Sequence, residues 1–163
     1  MNYIYFKQIF IIIVFGALLG LFRNFLLDSP LDLIKVKKVA SSFDGTELPD
    51  EFLEPLSISL EMSYALYNSK AIFIDARVED DYKNEHIKNA INIPFETYED
   101  YEDEIFSFDE DTPLVLYCGG GECELSTNLA YVLFDDYEFE KVLIFKAGYP
   151  SWKESGYPIE WKI

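Results

Sequence analysis

Three short runs constrain this chain most: "AIFIDAR" at 71–77, "PLVLYC" at 113–118 and "KVLIF" at 141–145. Each is apolar at successive positions rather than at alternate ones. On a strand, that pattern means burial on both faces, the signature of a parallel sheet. "AINIP" at 90–94 adds a further strand, stopped by Pro94. Helical patterns lie between these runs. "SISLEMSYALYNS" reads as a short strand entering a helix, with Ser59 as N-cap and Glu61 in the first turn. "VEDDYKNEHI" is a short helix, and "FETYEDYEDEIFSF" is a longer acidic one. "ELSTNLAYVLFDDY" places Leu125, Leu129, Val132 and Leu133 on one side, and "PSWKESG" is a last short helix. Strands alternating with helices predict an α/β fold, a parallel sheet with helices on both faces.

The N-terminus is different material. Residues 9–22, "IFIIIVFGALLGLF", are apolar without a break, and the apolar-rich segment around them extends over 3–27. A spanning helix needs about 20 residues. Lys7 and Arg23 lie near the ends, where long cationic side chains can reach headgroups. No small-residue cleavage site follows the apolar core, which argues against a cleaved signal peptide. A buried core helix is the remaining alternative. The expected organisation is an N-terminal membrane anchor over 1–27, a linker over 28–56 punctuated by Pro30, Gly45, Pro49 and Pro55, and a globular domain over 57–163. Lys35, Lys37 and Lys38 after the span favour a cytoplasmic domain by the positive-inside rule. The very short N-terminal tail favours a signal anchor with an exported domain, and the extracytoplasmic side is the expectation taken here.

A formal charge of −17 excludes nucleic acid as a partner, because phosphate binding needs a basic face. Between positions 89 and 140 there are fifteen Asp or Glu and no Lys or Arg. The two cysteines do not form a disulfide-rich framework, and their spacing lacks the second ligand pair of a structural zinc site. No metal and no cofactor are expected.

Chemistry concentrates in "LVLYCGGGECELS" at 114–126. Ligands of open α/β sheets bind outside the carboxyl ends of the strands, and Cys118 stands at such an end. Gly119, Gly120 and Gly121 allow the chain to curl so that successive N–H groups face the sulfur. A helix opening near Glu124 adds a partial positive charge. Both effects favour the thiolate, the nucleophilic form. Cys123 is a candidate resolving thiol five residues on, or a plain loop residue. His86, the one histidine, is a candidate base, although a solitary histidine more often pins a turn. Asp75 and Arg77 close the second strand and suit support of the cleft, with Glu79 or Asp81 as expected partners of Arg77.

Three longer stretches, "FIDARVEDDYKNEHIKNAINIP", "LVLYCGGGECELSTNLAYVLF" and "KVLIFKAGYPSWKESGYPIE", carry four motifs in order. They are an Asp-x-Arg strand end, a His-Ile-x-x-Ala turn, a cysteine loop and a closing Gly-x-x-x-Trp-x-x-x-Gly-x-Pro element. Together they resemble the rhodanese-like (sulfurtransferase) family over about residues 57–161. The N-terminal segment with "LLGLFRNFLLDSP" is similar to the front end of membrane-anchored bacterial members. The resemblance implies that Cys118 takes up sulfane sulfur as a persulfide. It implies that residues 119–124 (Gly119, Gly120, Gly121, Glu122, Cys123 and Glu124) cradle the sulfur, and that Asp75, Arg77 and His86 support the site.

The chain departs from the family pattern at Glu85 and Ala147, where glycines are usual, and at Cys123, where an arginine is usual. Its loop is also about two residues longer. Without an arginine for bidentate phosphate contact, phosphatase or arsenate chemistry is not expected. Glu122 and Glu124 would repel a dianion such as thiosulfate, so a protein persulfide or small thiol carrier is the better donor. The leading expectation is a membrane-anchored sulfurtransferase with weak thiosulfate activity. The alternatives are a redox module that cycles Cys118 and Cys123 between thiol and disulfide, and a non-catalytic interaction module of the same fold.

Overall fold

The computed structural model describes residues 3–26, 40–43 and 48–161. The chain divides into two compact units, Met1–Lys37 and Lys38–Ile163. The described residues of the first form the helix α1 (Tyr3–Phe25), whose described side chains at 5–20 are all exposed. Among the described residues no helix is long and apolar enough to cross a membrane. Of the anchor expected over 1–27, residues 3–26 are described; of the linker expected over 28–56, residues 40–43 and 48–56 are described and the rest lies outside the described residues.

Among the described residues of the second unit, six strands form one all-parallel sheet in the order β1-β2-β7-β6-β3-β5. These are β1 (Ser41–Ser42), β2 (Leu56–Ile58), β3 (Ile72–Asp75), β5 (Ile91–Asn92), β6 (Leu114–Tyr117) and β7 (Val142–Phe145). A separate antiparallel pair joins β4 (His86–Ile87) to β8 (Ile159–Glu160). The compact unit therefore begins before position 57. Ser41 and Ser42 pair with Leu56 and Ser57, inside the segment read as linker. Their polar side chains carry no strand pattern, because an edge strand is held by its backbone hydrogen bonds.

The central strands β6 and β7 are buried at every residue, as their unbroken apolar runs require. Successive residues point to opposite faces and build two cores. Ile74, Leu114, Leu116, Val142 and Ile144 meet Leu129 and Leu133 of α5 (Leu125–Asp135) and Ile105 of α4 (Glu102–Ile105). Phe73, Val115, Tyr117, Leu143 and Phe145 meet Leu66 of α2 (Leu60–Asn68) and Trp152 of α6 (Gly148–Glu154). Helices thus cover both faces. Fully buried side chains of this size each stabilise the fold by about 1.5–3 kcal/mol.

The long acidic helix read over 95–108 is a 3-10 segment, Phe95–Tyr101, with a non-helical kink at Thr97, followed by the single turn of α4. Phe95, Tyr98 and Tyr101 recur every third residue, the period of a 3-10 helix, and all three pack on the first core. α3 (Glu79–Asn84) is short, as expected.

The Ser59 cap of α2 is present: its Oγ accepts the Met62 N–H at 3.2 Å. Ser59→Ala should cost about 1 kcal/mol. The expected reading is a melting midpoint lower by about 3–5 °C. An unchanged midpoint would show that this cap contributes nothing.

Candidate active site

Register brings the site together. β6 lies between β3 and β7, with Asp75 opposite Tyr117 and Tyr117 opposite Phe145. Cys118 leaves the carboxyl end of β6 between the end of β3 and the turn into α6. It is 2% exposed. Gly120 and Gly121 have φ of +75° and +62°, so the loop turns where only glycine is comfortable.

The loop is locked to the start of α6. Tyr149 N–H donates to Cys118 O at 2.9 Å. A Cβ on Gly148, itself at φ +68°, would stand 2.5 Å from both Cys118 O and Gly120 N. Gly148 is therefore required by close approach as well as by conformation. Ala147, the departure just before it, sits at φ −66°, ψ −23°, where any residue fits. Glu85, the other departure, has extended backbone (φ −158°, ψ 138°) and also needs no glycine.

Cys118 and Cys123 are joined as a disulfide, with their Cα atoms 6.5 Å apart. One amide of the loop expected to face the sulfur is turned elsewhere. The Cys123 N–H turns to Gly120 O at 3.2 Å, and the Cys123 carbonyl oxygen lies 3.6 Å from Cys118 Sγ. The hydroxyl of Ser126, 1% exposed in the first turn of α5, donates to Cys118 Sγ at 3.4 Å. Sequence reasoning passed over Ser126, because an ordinary N-terminal serine of a helix does not announce which atom it faces. Glu122 and Glu124 are both exposed, Cys123 is half-buried, and Gly119 is exposed.

Arg77 pairs with Asp75, not with Glu79 or Asp81. Its Nη2 is 2.6 Å from Asp75 Oδ2 and its Nε is 2.9 Å from Oδ1. Asp75 is fully buried, and a buried carboxylate needs such a partner close by. Burial alone would lower the guanidinium pKa, but the hydrogen bond and charge of Asp75 outweigh it and raise it. Arg77 also donates to Glu85 O at 2.8 Å, and its guanidinium carbon lies 4.6 Å from the centre of the Tyr149 ring. Asn92 donates from Nδ2 to the carbonyls of Asp75 and Arg77, both at 2.9 Å, which fixes this strand end.

Tyr149 and Glu85 form a link that the sequence did not reveal. Tyr149 OH donates to Glu85 Oε2 at 3.1 Å, and Lys153 Nζ pairs with the same oxygen. Burial, then the Glu85 contact, pushes the Tyr149 phenol up to about 12, so it remains a donor at physiological pH. The Lys153 hydrogen bond holds the Glu85 carboxyl below its usual value. Burial likewise pushes the Tyr117 phenol well above its usual value, and its oxygen accepts the Ile87 N–H at 3.1 Å.

His86 turns elsewhere. Its Nδ1 is 2.6 Å from Tyr82 O, its Nε2 is 3.3 Å from Glu160 Oε1, and its ring stacks on Tyr82. Both nitrogens are engaged in holding β4 to its surroundings, not in the cysteine loop. A cleft of about 440 Å³ lined by Phe52, Leu53, Phe134, Phe139 and Lys141 opens at the amino end of β7. It is at the wrong end of the sheet for chemistry at Cys118. Among the described residues no group of His, Cys, Asp or Glu is arranged to hold a metal ion.

A cysteine at the carboxyl end of a central parallel strand, in a glycine loop, defines a class that comparison identifies. The Rhodanese-like domain profile matches residues 60–155. The chain belongs to the rhodanese-like domain family. Solved structures agree with this fold. The BH2092 protein of Bacillus halodurans is 24% identical over 62% of this chain and 72% of its own, with a TM-score of 0.53. The Alr3790 protein of Anabaena sp. is 25% identical over 64% and 80%, also at 0.53. The polysulfide-sulfur transferase homodimer of Wolinella succinogenes is 22% identical over 65% and 78%, again at 0.53. Comparison with curated proteins finds no significant match. Membership supports a sulfurtransferase type of function.

Proposed function

We propose that the chain is a membrane-anchored sulfurtransferase that carries sulfane sulfur as a persulfide on Cys118. The observation that carries this reading is the buried Cys118 at the end of β6, in a glycine loop pinned by Tyr149 and Gly148. The Cys118 thiolate attacks the outer sulfur of a donor, and the donor leaves as a thiolate or as sulfite. An acceptor thiolate then removes the outer sulfur and restores Cys118. The donor is a protein persulfide or a small persulfide, and the acceptor is a thiol. The test is cyanide-labile sulfur on the full chain after incubation with such a donor, read as thiocyanate; no thiocyanate removes the reading.

The exposed Glu122 and Glu124 stand beside this loop. Glu122→Gln with Glu124→Gln should lower the KM for thiosulfate about three-fold, because each like-charge contact at partial exposure is worth about 1 kcal/mol or less. The gain should shrink in 1 M salt, where screening acts over about 3 Å. Steady-state kinetics at two salt concentrations checks it, and a KM that ignores both the substitutions and salt would discard the electrostatic account.

The joined cysteines favour a second reading, a dithiol redox module in which Cys118 and Cys123 cycle with no sulfur carried. The membrane part rests on the sequence, the unbroken apolar run at 9–22 within an apolar-rich segment over 3–27. A helix with apolar side chains exposed all round suits lipid. On this reading the apolar segment over 3–27 spans once, uncleaved, with the globular domain on the extracytoplasmic side. Fractionation with N-terminal sequencing should find the intact N-terminus in membranes. A soluble product starting after about residue 27 is the contrary result.

A further inference from the structure

We infer that the Cys118–Cys123 disulfide is opened in one direction: a thiol reductant enters at Cys123, and Cys118 leaves as a thiolate held by Ser126. The inference takes its place in the cycle from the carrier reading above. Three observations carry it. Cys118 is 2% exposed, whereas Cys123 is half-buried, so Cys123 is the more accessible of the two residues to an approaching thiolate. The Ser126 hydroxyl, itself 1% exposed, donates to the sulfur of Cys118. Cys118 also has the first turn of α5 beside it, through Ser126.

Thiol–disulfide exchange depends on which sulfur is reached and on how stable the departing thiolate is. Both factors point the same way here. A hydroxyl donor already aimed at Cys118 Sγ stabilises the negative charge that develops when the bond breaks. The Cys123 carbonyl oxygen near that sulfur is an acceptor and opposes the charge, so Ser126 is the contact that favours departure.

The steps balance. When no external acceptor takes the outer sulfur from loaded Cys118, the Cys123 thiolate attacks Cys118 Sγ, the outer sulfur leaves as hydrosulfide, and the disulfide forms. A dithiol reductant then attacks Cys123 Sγ through one thiolate. The bond between Cys118 and Cys123 breaks, and its electron pair leaves on Cys118. The second thiol of the reductant attacks its own sulfur in the mixed disulfide. Cys123 departs and takes up a proton, and the reductant becomes a disulfide. The chain is reduced by two electrons and the dithiol is oxidised by two. The partner this requires is a dithiol, on a small molecule or a protein, able to approach the exposed acidic rim of the loop.

The experiment uses the full chain in its disulfide form with one equivalent of glutathione, quenched in acid and mapped by peptide mass spectrometry. Glutathione should be found on Cys123 at least ten times as often as on Cys118. In the reduced chain, the pH midpoint for alkylation of Cys118 by iodoacetamide should rise by about one pH unit in Ser126→Ala. Ser126→Thr should restore it. Glutathione on Cys118, or equally on both, overturns the inference. So does an unchanged alkylation midpoint in a Ser126→Ala chain of native circular dichroism. Cyanide-labile loading, measured on the same reduced chain, tests the carrier reading separately. Loading with glutathione on Cys118 removes only the direction of opening. Absent loading with glutathione on Cys123 removes only the carrier.

Discussion

Cys118→Ser is expected to lower thiocyanate formation by at least about 1,000-fold while leaving the fold intact. A serine hydroxyl at neutral pH is a far weaker nucleophile than a thiolate and forms no persulfide. The replacement is nearly isosteric, so the β6 end and the Tyr149 contact to the residue-118 carbonyl should persist. The comparison belongs in reducing buffer, where loss of the disulfide does not contribute to stability. Circular dichroism and melting should match the parent. A residual rate near that of the parent would move the nucleophile elsewhere, and Cys123 would be the next residue to replace.

Gly148→Ala should have the second largest effect. A methyl group at this position meets Cys118 O and Gly120 N at 2.5 Å, and both are backbone atoms. The φ of +68° adds about 1–2 kcal/mol for a residue with a Cβ. Relief of the overlap adds about 1–3 kcal/mol more. The loop carrying Cys118 is one of the two sides that can give way, so activity should fall with stability. We expect a loss of about 2–5 kcal/mol in urea unfolding and at least a ten-fold lower transfer rate under conditions where the chain stays folded. Ala147→Gly, at an ordinary helical conformation, is the matched control and should leave the rate within about two-fold. A Gly148→Ala chain with parental rate and stability would mean that the two loops do not interlock as described.

The sequence made some of these features legible and hid others, for physical reasons. Unbroken apolar runs identified β3, β6 and β7, because burial on both sheet faces is written directly into composition. Ser59 was legible because a cap needs a small polar residue at a fixed offset. The 3-10 segment at Phe95–Tyr101 was not, since acidic residues mask the three-residue spacing of its aromatic side chains. β1 and the β4–β8 pair were missed because two-residue strands rest on backbone hydrogen bonds and need no pattern. At the site, the glycine loop and Cys118 stood out by type and order. The pairing of Arg77 with Asp75 was hidden because Asp75, Glu79 and Asp81 all lie within reach along the sequence, and only the fold selects among them. Ser126, Glu85 and Tyr149 meet their partners only through tertiary structure, across 8, 64 and 31 positions of sequence.

The central claim is that Cys118 carries sulfur. Intact and peptide mass spectrometry of the reduced full chain, after incubation with a small persulfide donor and removal of excess donor, tests it most directly. The account predicts a gain of one sulfur atom, confined to the peptide containing Cys118, that disappears on adding cyanide as thiocyanate forms. A reduced Cys123→Ser chain, in which no second thiol can discharge Cys118, that gains no sulfur under the same conditions would contradict it.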